Sequence, residues 1–428
     1  MPSSSLLPQD RRTLLLASLG GALEFYDFII FVFFAAVIGA LFFPPDTPDW
    51  LRQLQTFGIF AAGYLARPAG GVLLAHFGDR LGRKRMFMVS VLLMAVPTLL
   101  IGLLPTYAAI GLAAPILLLV LRLLQGAAVG GEVPGAWVFV AEHVPEGRIG
   151  LACGVLTAGL TAGILLGSLM ASAVNALWTP EQVLAGYWRI PFLIGGLFGM
   201  VAVWLRRYLS ETPVFQAMRQ RRELVEGLPI RMVLGEHQGA VVRCVIFSWL
   251  LTVGIVIVIL MTPTLAQTTF GIPVQEALHA NVWATLALAF GCVAFGVGAD
   301  RFGVDAVLVV GSVAMAILSL LLFVVLKYSP EYFLLIYPLA GLCIGVVGVV
   351  PVLMVKEFPA QIRYSGISFS YNVAYAVSGG LTPLIVTFWI RSTPLAPAYY
   401  VGLVVAVAVA VIALGSTSRR RDQFPCDA

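Results

Sequence analysis

The sequence predicts an all-α membrane protein with twelve transmembrane helices arranged as two pseudo-symmetric six-helix bundles. Three observations predict this class: an apolar composition, twelve long apolar runs and an internal repeat. Of the 428 residues, 60% are hydrophobic and only 11% are charged, whereas soluble domains have about 25% charged residues. The composition therefore indicates a chain that crosses a lipid bilayer many times.

Twelve runs are long enough to cross a bilayer, whose hydrocarbon core needs about 20 helical residues. An unbroken apolar run can satisfy its backbone hydrogen bonds in lipid only as a helix. In chain order the predicted helices are 14–43, 54–78, 86–104, 111–141, 150–176, 188–208, 240–266, 277–299, 305–327, 331–357, 366–391 and 397–415.

The longest polar connection between these runs divides six helices from six. It predicts an amino-terminal bundle at 1–208, a cytoplasmic linker at 209–239, a carboxy-terminal bundle at 240–415 and a cytoplasmic tail at 416–428. A repeat supports the two halves. The segment Gly78-Asp79-Arg80-Leu81-Gly82 recurs as Ala299-Asp300-Arg301-Phe302-Gly303, and Glu142 to Arg148 corresponds to Glu357 to Arg363. Two matches at nearly one offset indicate parallel repeats.

The basic residues orient the chain. With both termini on the cytoplasmic side, 20 of the 26 Lys and Arg residues fall inside and 4 outside, and two lie within apolar runs. Cytoplasmic loops carry the excess of basic residues. We therefore expect a multi-pass protein of the cell inner membrane with cytoplasmic termini. The net charge of +5 is spread over short clusters between helices, which does not indicate a nucleic-acid partner.

Several motifs carry a family resemblance that covers most of the amino-terminal half. They are Glu24-Phe-Tyr-Asp27-Phe, Arg67-Pro-Ala-Gly70, Arg122-Leu-Leu-Gln-Gly126 with Gly130-Gly131-Glu132, Trp188-Arg-Ile-Pro-Phe192 and Glu211-Thr-Pro213, joined by Tyr371-Asn372 and Gly379-Gly380 in the eleventh helix. With the repeated loop signature, the chain resembles the metabolite:proton symporter family of the major facilitator superfamily.

The resemblance implies a twelve-helix secondary transporter that takes up small carboxylates or zwitterionic osmolytes together with protons. It implies no cofactor, because the proton gradient is the coupling source. The fifth helix has no Gly-Pro pair and so lacks the usual antiporter signature, which favours uptake over efflux. In the second loop signature, Val304-Asp305 stands where a basic pair is usual, which predicts an electrostatically weaker contact in that half.

Three charged residues lie at about the same depth on different helices. At 1.5 Å per residue, Arg67 is about 18 Å from Asp79, and Glu24 and Arg122 are a similar distance from their helix ends. Charges inside a membrane usually face a cavity or a partner, so we expect a shared polar cavity. The substrate-binding candidates are Arg67, Arg122, Gln125, Tyr26, Tyr371, Asn372 and Tyr375.

The arginines suit a carboxylate, because a guanidinium donates two parallel hydrogen bonds to it. Glu24 and Asp27 share a helix face, and a desolvated carboxyl holds its proton more tightly. With Glu132 they are the proton-coupling candidates. Two alternatives stay open: these acids form structural ion pairs with the arginines, or one of them binds a substrate ammonium group.

The repeated loops predict an inner gate. We expect Asp79 at the start of the eleventh helix near Ser365 and Gly366, a favourable position for an anion, and Arg83 or Arg80 beside Glu142. Asp300 near Gly150 and Arg301 near Glu357 are the repeat-related contacts. The gate candidates are Asp79, Arg80, Arg83, Glu142, Arg148, Asp300, Arg301, Glu357 and Arg363. The alternative, that these charges only orient the chain, leaves the repeated aspartate unexplained.

The sequence therefore favours proton-coupled uptake of a small organic anion, such as a di- or tricarboxylate, by alternating access. The alternative within transporters is a carrier of a zwitterionic osmolyte or amino acid of the proline or betaine type. A non-transporting membrane receptor or sensor is the alternative from another class. We find no nucleophile motif, metal cluster or phosphate loop, and so expect no enzyme activity and no metal. The expected partners are a small metabolite, protons and the lipid bilayer, with the chain acting as a monomer.

Overall fold

The computed structural model describes residues 7–221 and 228–422, and every regular element in those ranges is helical. Twelve main helices follow one another along the described residues. They are α1 Pro8–Phe33, α2 Asp49–Leu81, α3 Arg83–Leu103, α4 Ala113–His143, α5 Ile149–Leu177, α6 Arg189–Arg206, α7 Gln238–Val253, α8 Val274–Phe302, α9 Val304–Tyr328, α10 Phe333–Ile344, α11 Arg363–Ala374 and α12 Ala396–Asp422.

Three helices of the second half change type midway and then continue. The continuations are Gly254–Met261 (π-helix) and Thr262–Thr268 after α7, Gly345–Val349 (3₁₀-helix) and Val350–Glu357 after α10, and Tyr375–Gly379 (π-helix) and Gly380–Trp389 after α11. In the first half, Ala35–Phe42 continues α1. Such changes of helix type are frequent at functional sites.

The remaining helices are short connections. They are Tyr107–Ile110, Pro180–Gln182 followed by the π-turn Val183–Tyr187, Pro213–Gln220, Pro229–Glu236 and the 3₁₀ turns Glu146–Arg148 and Pro330–Tyr332. The described residues of the predicted linker 209–239 thus include two short helices, each of which starts at a proline, the residue preferred in a first helical turn.

Eleven helices in the described part of the chain are long and apolar enough to cross a membrane, which confirms the multi-pass prediction. The predicted span 366–391 forms a helical segment but falls outside that set. Its first part, Arg363–Ala374, is rich in serine, tyrosine and asparagine, and these residues lower its hydropathy.

Two compact units make up the fold. Unit 1 comprises Met1–Pro145, Gly159–His237 and Phe358–Ala376, and unit 2 comprises Glu146–Ala158, Gln238–Glu357 and Val377–Ala428. Each unit thus contains one segment that the sequence assigns to the other half. These segments are the beginning of α5, which belongs to unit 2, and the beginning of α11, which belongs to unit 1.

Glycines bring α2 and α4 into backbone contact in unit 1. A Cβ atom at Gly70 would overlap the backbone of Ala127, and one at Gly126 would overlap the carbonyl of Gly63. In unit 2, α8 and α10 approach in the same way, at Gly291 against the carbonyl of Leu342. Small residues at such crossings are typical of membrane helices, because they let backbones approach closely.

The repeated loops share one backbone feature. Gly82 and Gly303 occupy corresponding positions and both have positive φ, +118° and +89°. Glycine adopts this conformation without the strain that a Cβ atom would cause. The sharp turn from α2 to α3 and from α8 to α9 therefore depends on glycine in both halves.

The crossing of α2 and α4 generates a stability prediction. Gly70→Ala should destabilise the protein, because overpacking of this kind costs about 1 to 3 kcal/mol. Gly58→Ala on the same helix is the matched control: nothing lies within 4 Å of a Cβ at Gly58, so its effect should be neutral or slightly stabilising. Thermal unfolding in detergent measures both variants, and equal midpoints would contradict the proposed contact.

Candidate functional site

Arg67 lies on α2 with its guanidinium inside a group of aromatic rings. The guanidinium carbon is 4.6 Å from the ring centroid of Tyr375, 5.3 Å from that of Tyr64 and 5.4 Å from that of Tyr371. Phe28 lies further away, at 6.0 Å. We call Tyr64, Tyr371 and Tyr375 the tyrosine cage. Arg67 is only 2% exposed, so the cage holds a cation that is removed from bulk water.

The rings of the tyrosine cage also contact one another. Tyr64 and Tyr375 stack with nearly parallel planes at 6.5 Å, and Tyr371 lies 4.6 Å from Tyr375. Trp137 of α4 packs edge-on against Tyr371 at 5.0 Å. These contacts hold the rings in place around the guanidinium.

Arg122 of α4 has an aromatic environment of its own. Its guanidinium carbon is 4.3 Å from the ring of Phe31, 5.0 Å from that of Phe28 and 5.3 Å from that of Phe60. Phe28 therefore lies against both arginines. The two predicted substrate-binding arginines share one aromatic wall in unit 1.

A short polar chain fixes one end of the Arg122 guanidinium. Its Nη1 donates to Oε1 of Gln125 at 2.8 Å, and Nε2 of Gln125 donates to Oγ1 of Thr98 at 2.7 Å. In the described part of the protein, Nε and Nη2 of Arg122 are buried without a hydrogen-bond partner. Gln125 thus holds the arginine while two of its donors stay available.

The predicted acids do not neutralise these arginines where the structure describes them. Glu132 pairs with Arg206 of α6 instead, at 3.5 Å. Asp27 is 1% exposed, and neither of its carboxylate oxygens has a hydrogen-bond partner among the described residues. Glu24 lies on α1, and its side chain is outside the described part of the structure.

Arg206 is an unexpected member of the buried charges, because the sequence assigned it to the cytoplasmic loops. It is fully buried, its Nη1 donates to the carbonyl of Phe87 at 2.6 Å, and its guanidinium carbon lies 3.3 Å from the Phe87 ring centroid. The Glu132–Arg206 pair therefore joins α4 to α6 and is surrounded by packed side chains.

Tyr26 is not among the residues around the arginines. Its hydroxyl donates to the carbonyl of Pro191 at 3.0 Å, and its ring packs edge-on against Phe198. Both contacts are with α6, so Tyr26 fastens α1 to α6 in this structure.

Asn372 binds backbone on α4. Its Nδ2 donates to the carbonyl of Gly130 at 2.6 Å, and Ser368 donates to the same carbonyl at 3.1 Å. That carbonyl is available because the residue four positions on is Pro134, which has no N–H group. Tyr364 donates to the next carbonyl, of Gly131, at 2.6 Å. The proline in α4 thus provides the surface on which α11 docks within unit 1.

Arg83 is the centre of the charged cluster that the sequence proposed as a gate. It pairs with Asp79 at 3.1 Å and with Glu142 at 3.5 Å, and it donates to the carbonyls of Gly78 and Ala360. Arg83 is 1% exposed. The cluster is therefore a buried network and not a set of solvated surface charges.

Asp79 and Glu142 carry the network to the beginning of α11. Asp79 accepts hydrogen bonds from the backbone N–H of Ser365 at 3.0 Å and from its hydroxyl at 2.7 Å. Glu142 accepts from Arg363 at 3.1 Å and from Thr212 at 2.7 Å. The structure thus brings together Asp79, Arg83, Glu142 and Arg363.

The repeat-related cluster in unit 2 is simpler. Asp300 accepts hydrogen bonds from the backbone N–H groups of Gly150 and Leu151 at 2.7 and 2.8 Å. Arg148 ends the 3₁₀ turn that precedes α5. A carboxylate at a helix amino terminus satisfies N–H groups that lack partners within the helix.

One expected gate contact, between Arg301 and Glu357, is absent among the described residues, and of the two arginines expected beside Glu142 it is Arg83 that lies there. Glu357 pairs with Arg243, and Arg301 makes no hydrogen bond or ion pair within the described ranges. Arg80 is exposed and approaches only His76, at 3.5 Å. Arg80 directly follows Asp79, and Arg301 directly follows Asp300. Each arginine side chain therefore leaves its helix on a different face from the aspartate and points away from the buried contacts.

Sequence reasoning missed Tyr64, although the signal was present. Tyr64 precedes Arg67 by three positions and therefore lies on the same face of α2. The sequence motif Glu211-Thr-Pro213 did not indicate a role for Glu211. In the structure, Oε1 of Glu211 accepts hydrogen bonds from the backbone N–H groups of Arg83 and Lys84 at 3.1 and 3.2 Å. It caps the start of α3, which a linear sequence does not reveal.

Comparisons with known proteins identify the family and the fold of the chain. The sequence model of the family described as Major Facilitator Superfamily matches residues 51–383. A putative proline/betaine transporter of Staphylococcus aureus (strain COL) is 32% identical over 410 residues, which cover 94% of this chain and 87% of the relative. The glycine betaine/proline/ectoine/pipecolic acid transporter OusA of Dickeya dadantii is 31% identical, covering 93% and 81%. The shikimate transporter of Escherichia coli (strain K12) is 32% identical, covering 89% and 87%.

Solved structures share the fold at lower sequence identity. The proton:xylose symporter XylE bound to 6-bromo-6-deoxy-D-glucose aligns with a TM-score of 0.79 at 17% identity, covering 94% of both chains. The human organic anion transporter MFSD10 aligns with a TM-score of 0.71 at 15% identity, covering 95% of this chain and 100% of that one. The twelve helices, the family match and these relatives together establish that the chain belongs to the major facilitator superfamily of membrane transporters.

Proposed function

We propose that the protein carries a small zwitterionic osmolyte or amino acid of the proline or betaine type into the cell together with protons. The observation that carries the proposal is the pair of buried arginines, Arg67 and Arg122, which share an aromatic wall and form no ion pair with a described carboxylate. Relatives named for proline and betaine support this class of substrate.

A substrate carboxylate is a suitable partner for these guanidinium groups. A buried charge in a membrane protein costs at least about 2.5 kcal/mol and usually faces a partner or a cavity. Nε and Nη2 of Arg122 have no protein partner in the described structure, and these two donors match the two oxygens of a carboxylate. The bound solute would thereby neutralise a charge that has no ion-pair partner among the described side chains.

The relatives favour a zwitterionic substrate over the di- or tricarboxylate that the sequence alone favoured. The sequence alone favoured a di- or tricarboxylate, whereas the relatives described above are named for zwitterions or for shikimate. A monocarboxylate anion such as shikimate is therefore the second candidate, supported by the Escherichia coli relative. Both candidates present one carboxylate to the arginines.

Asp27 is the proton carrier in this proposal. Its carboxyl group is buried and lacks a described hydrogen-bond partner, and Cβ atoms at Gly195 or Gly199 of α6 would crowd its oxygens. An unpaired charge in such surroundings is costly, so a proton on Asp27 removes that cost. Glu132 is the weaker candidate because Arg206 already neutralises it.

The buried network around Arg83 serves as the inner gate in this proposal. Its contacts join the ends of α2 and α4 to the start of α11, and they would break when the cytoplasmic side opens. Both termini then lie in the cytoplasm, as the distribution of basic residues favours. The proposal takes the protein to act as a monomer in the cell inner membrane.

The proposal predicts the outcome of an uptake assay. Protein in liposomes with an inward proton gradient should accumulate labelled proline or glycine betaine in preference to shikimate, citrate or 2-oxoglutarate. An uncoupler added at the start should abolish accumulation above the outside concentration. Preferred uptake of citrate would overturn the substrate assignment, and accumulation unaffected by the uncoupler would overturn the coupling.

Asp27→Asn should separate coupling from binding. Asparagine cannot release a proton, so uptake driven by the gradient should fall to the equilibrium level while exchange of substrate across the membrane continues. Asp305→Asn, which changes an exposed aspartate, is the matched control and should behave like the unmodified protein. Gradient-driven accumulation in Asp27→Asn would exclude Asp27 as the carrier.

Arg83→Gln and Arg80→Gln test the gate with the same chemical change three positions apart. Removing one partner of a buried ion pair costs about 3 to 5 kcal/mol, so Arg83→Gln should loosen the start of α11 and slow uptake. The exposed Arg80 should be almost neutral. Hydrogen–deuterium exchange of peptides covering 358–376 measures the loosening, and equal exchange in the two variants would argue against the gate.

A further inference from the structure

The tyrosine cage holds a cation against its ring faces, and no carboxylate among the described side chains pairs with that cation. The Arg67 guanidinium lies within 5.4 Å of the centroids of Tyr64, Tyr371 and Tyr375. Nε of Arg67 has no hydrogen-bond partner in the described structure. The cage therefore surrounds a cation with three aromatic ring faces.

Such a cage favours one class of cation. Ring faces attract a cation most strongly when both are removed from water, and aromatic cages bind quaternary ammonium groups in this way. A trimethylammonium group has no N–H donors and gains nothing from a carbonyl or hydroxyl acceptor. Three tyrosine faces are thus better suited to it than to a primary ammonium group.

The cage is built from two distant parts of the sequence. Tyr64 belongs to α2. Tyr371 lies in the last turn of α11, and Tyr375 is the first residue of the π-helix Tyr375–Gly379. The hydrogen bond from Asn372 to the Gly130 carbonyl holds α11 against α4 at the position between Tyr371 and Tyr375 in the sequence. The cage can therefore exist only while this part of α11 is docked on α2 and α4.

We propose that the tyrosine cage is the binding site for the substrate's quaternary ammonium group, and that Arg67 occupies it as a resident cation when substrate is absent. The substrate carboxylate draws the Arg67 guanidinium out of the cage while the substrate ammonium group replaces it. This inference rests on the proposed zwitterionic substrate and narrows it to betaine-like solutes. No carboxylate side chain is then needed to bind the substrate cation.

A neutral analogue of the substrate tests the cage directly. Glycine betaine and tert-butylacetate have the same shape and the same carboxylate, but only betaine carries the positive charge. The unmodified protein should bind betaine at least about tenfold more tightly, because only the charged solute gains cation–π contacts, which are strongest when ring and cation are removed from water. Tyr375→Leu and Tyr64→Leu should bring the two affinities close together.

Phe42→Leu is the control for these variants. Phe42 is a buried aromatic residue of the same unit that packs against Trp188, outside the cage. It should keep the preference for betaine, measured as the ratio of the two dissociation constants by calorimetry in detergent. A ratio that Tyr375→Leu and Tyr64→Leu leave unchanged would overturn the cage.

A second measurement does not depend on the transported substrate. Arg67→Ala should empty the cage, so tetramethylammonium should raise the thermal unfolding midpoint of Arg67→Ala but not of the unmodified protein. The double variant Arg67→Ala with Tyr375→Leu should lose this stabilisation. If Arg67→Ala does not fold, the ratio of the two affinities decides the proposal without it.

The two measurements separate the cage from the proposed function. If tetramethylammonium stabilises Arg67→Ala while liposomes take up neither betaine nor proline, the cage stands and the substrate assignment fails. If liposomes take up betaine while tetramethylammonium has no effect and the affinity ratio is insensitive to Tyr375, the cage fails and the transport proposal stands.

Discussion

The backbone contact between α2 and α4 is the constraint on which the rest of the site depends. Glycine at positions 63, 70, 126 and 130 leaves no Cβ atom at the crossing, so the helices meet at backbone distance. This fixes the spacing of Arg67 and Arg122, which extend from the two helices towards one aromatic wall. A wider crossing would move the guanidiniums apart and would let water reach both.

The same crossing prepares the surface for α11. Pro134 leaves the Gly130 carbonyl without its helical partner, and Gly71 leaves the space that Asn372 and Ser368 fill. Docking at this point places Tyr371 and Tyr375 beside Arg67. At the other end of the same short helix, Ser365 binds Asp79. One helix of twelve residues therefore joins the cage to the charged network, so a change at either end displaces the other.

The sequence predicted the charges of the site well and their partners poorly. The common depth of Arg67, Arg122 and Glu24 on their helices follows from helical rise alone, and the contact between Asp79 and Ser365 follows from the affinity of an anion for a helix start. The pairing of Glu132 with Arg206 could not be predicted, because it depends on how α6 is rotated about its axis. The tyrosine cage needs the register of α11 on α2, which no local pattern encodes.

The two repeats differ in what surrounds the shared aspartate. In the first, Arg83 is buried and ties Asp79 to Glu142; in the second, the corresponding position is Val304, and among the described residues Asp300 accepts its hydrogen bonds from the backbone N–H groups of Gly150 and Leu151 in α5. A helix start gains about 0.3 to 1 kcal/mol from a nearby carboxylate, whereas breaking a buried ion pair costs about 3 to 5 kcal/mol. The contact in unit 1 is therefore much the harder of the two to break. Because that contact lies at the start of the helix that carries Tyr371, the proposed binding of substrate in the cage would act on the same helix that the contact holds in place.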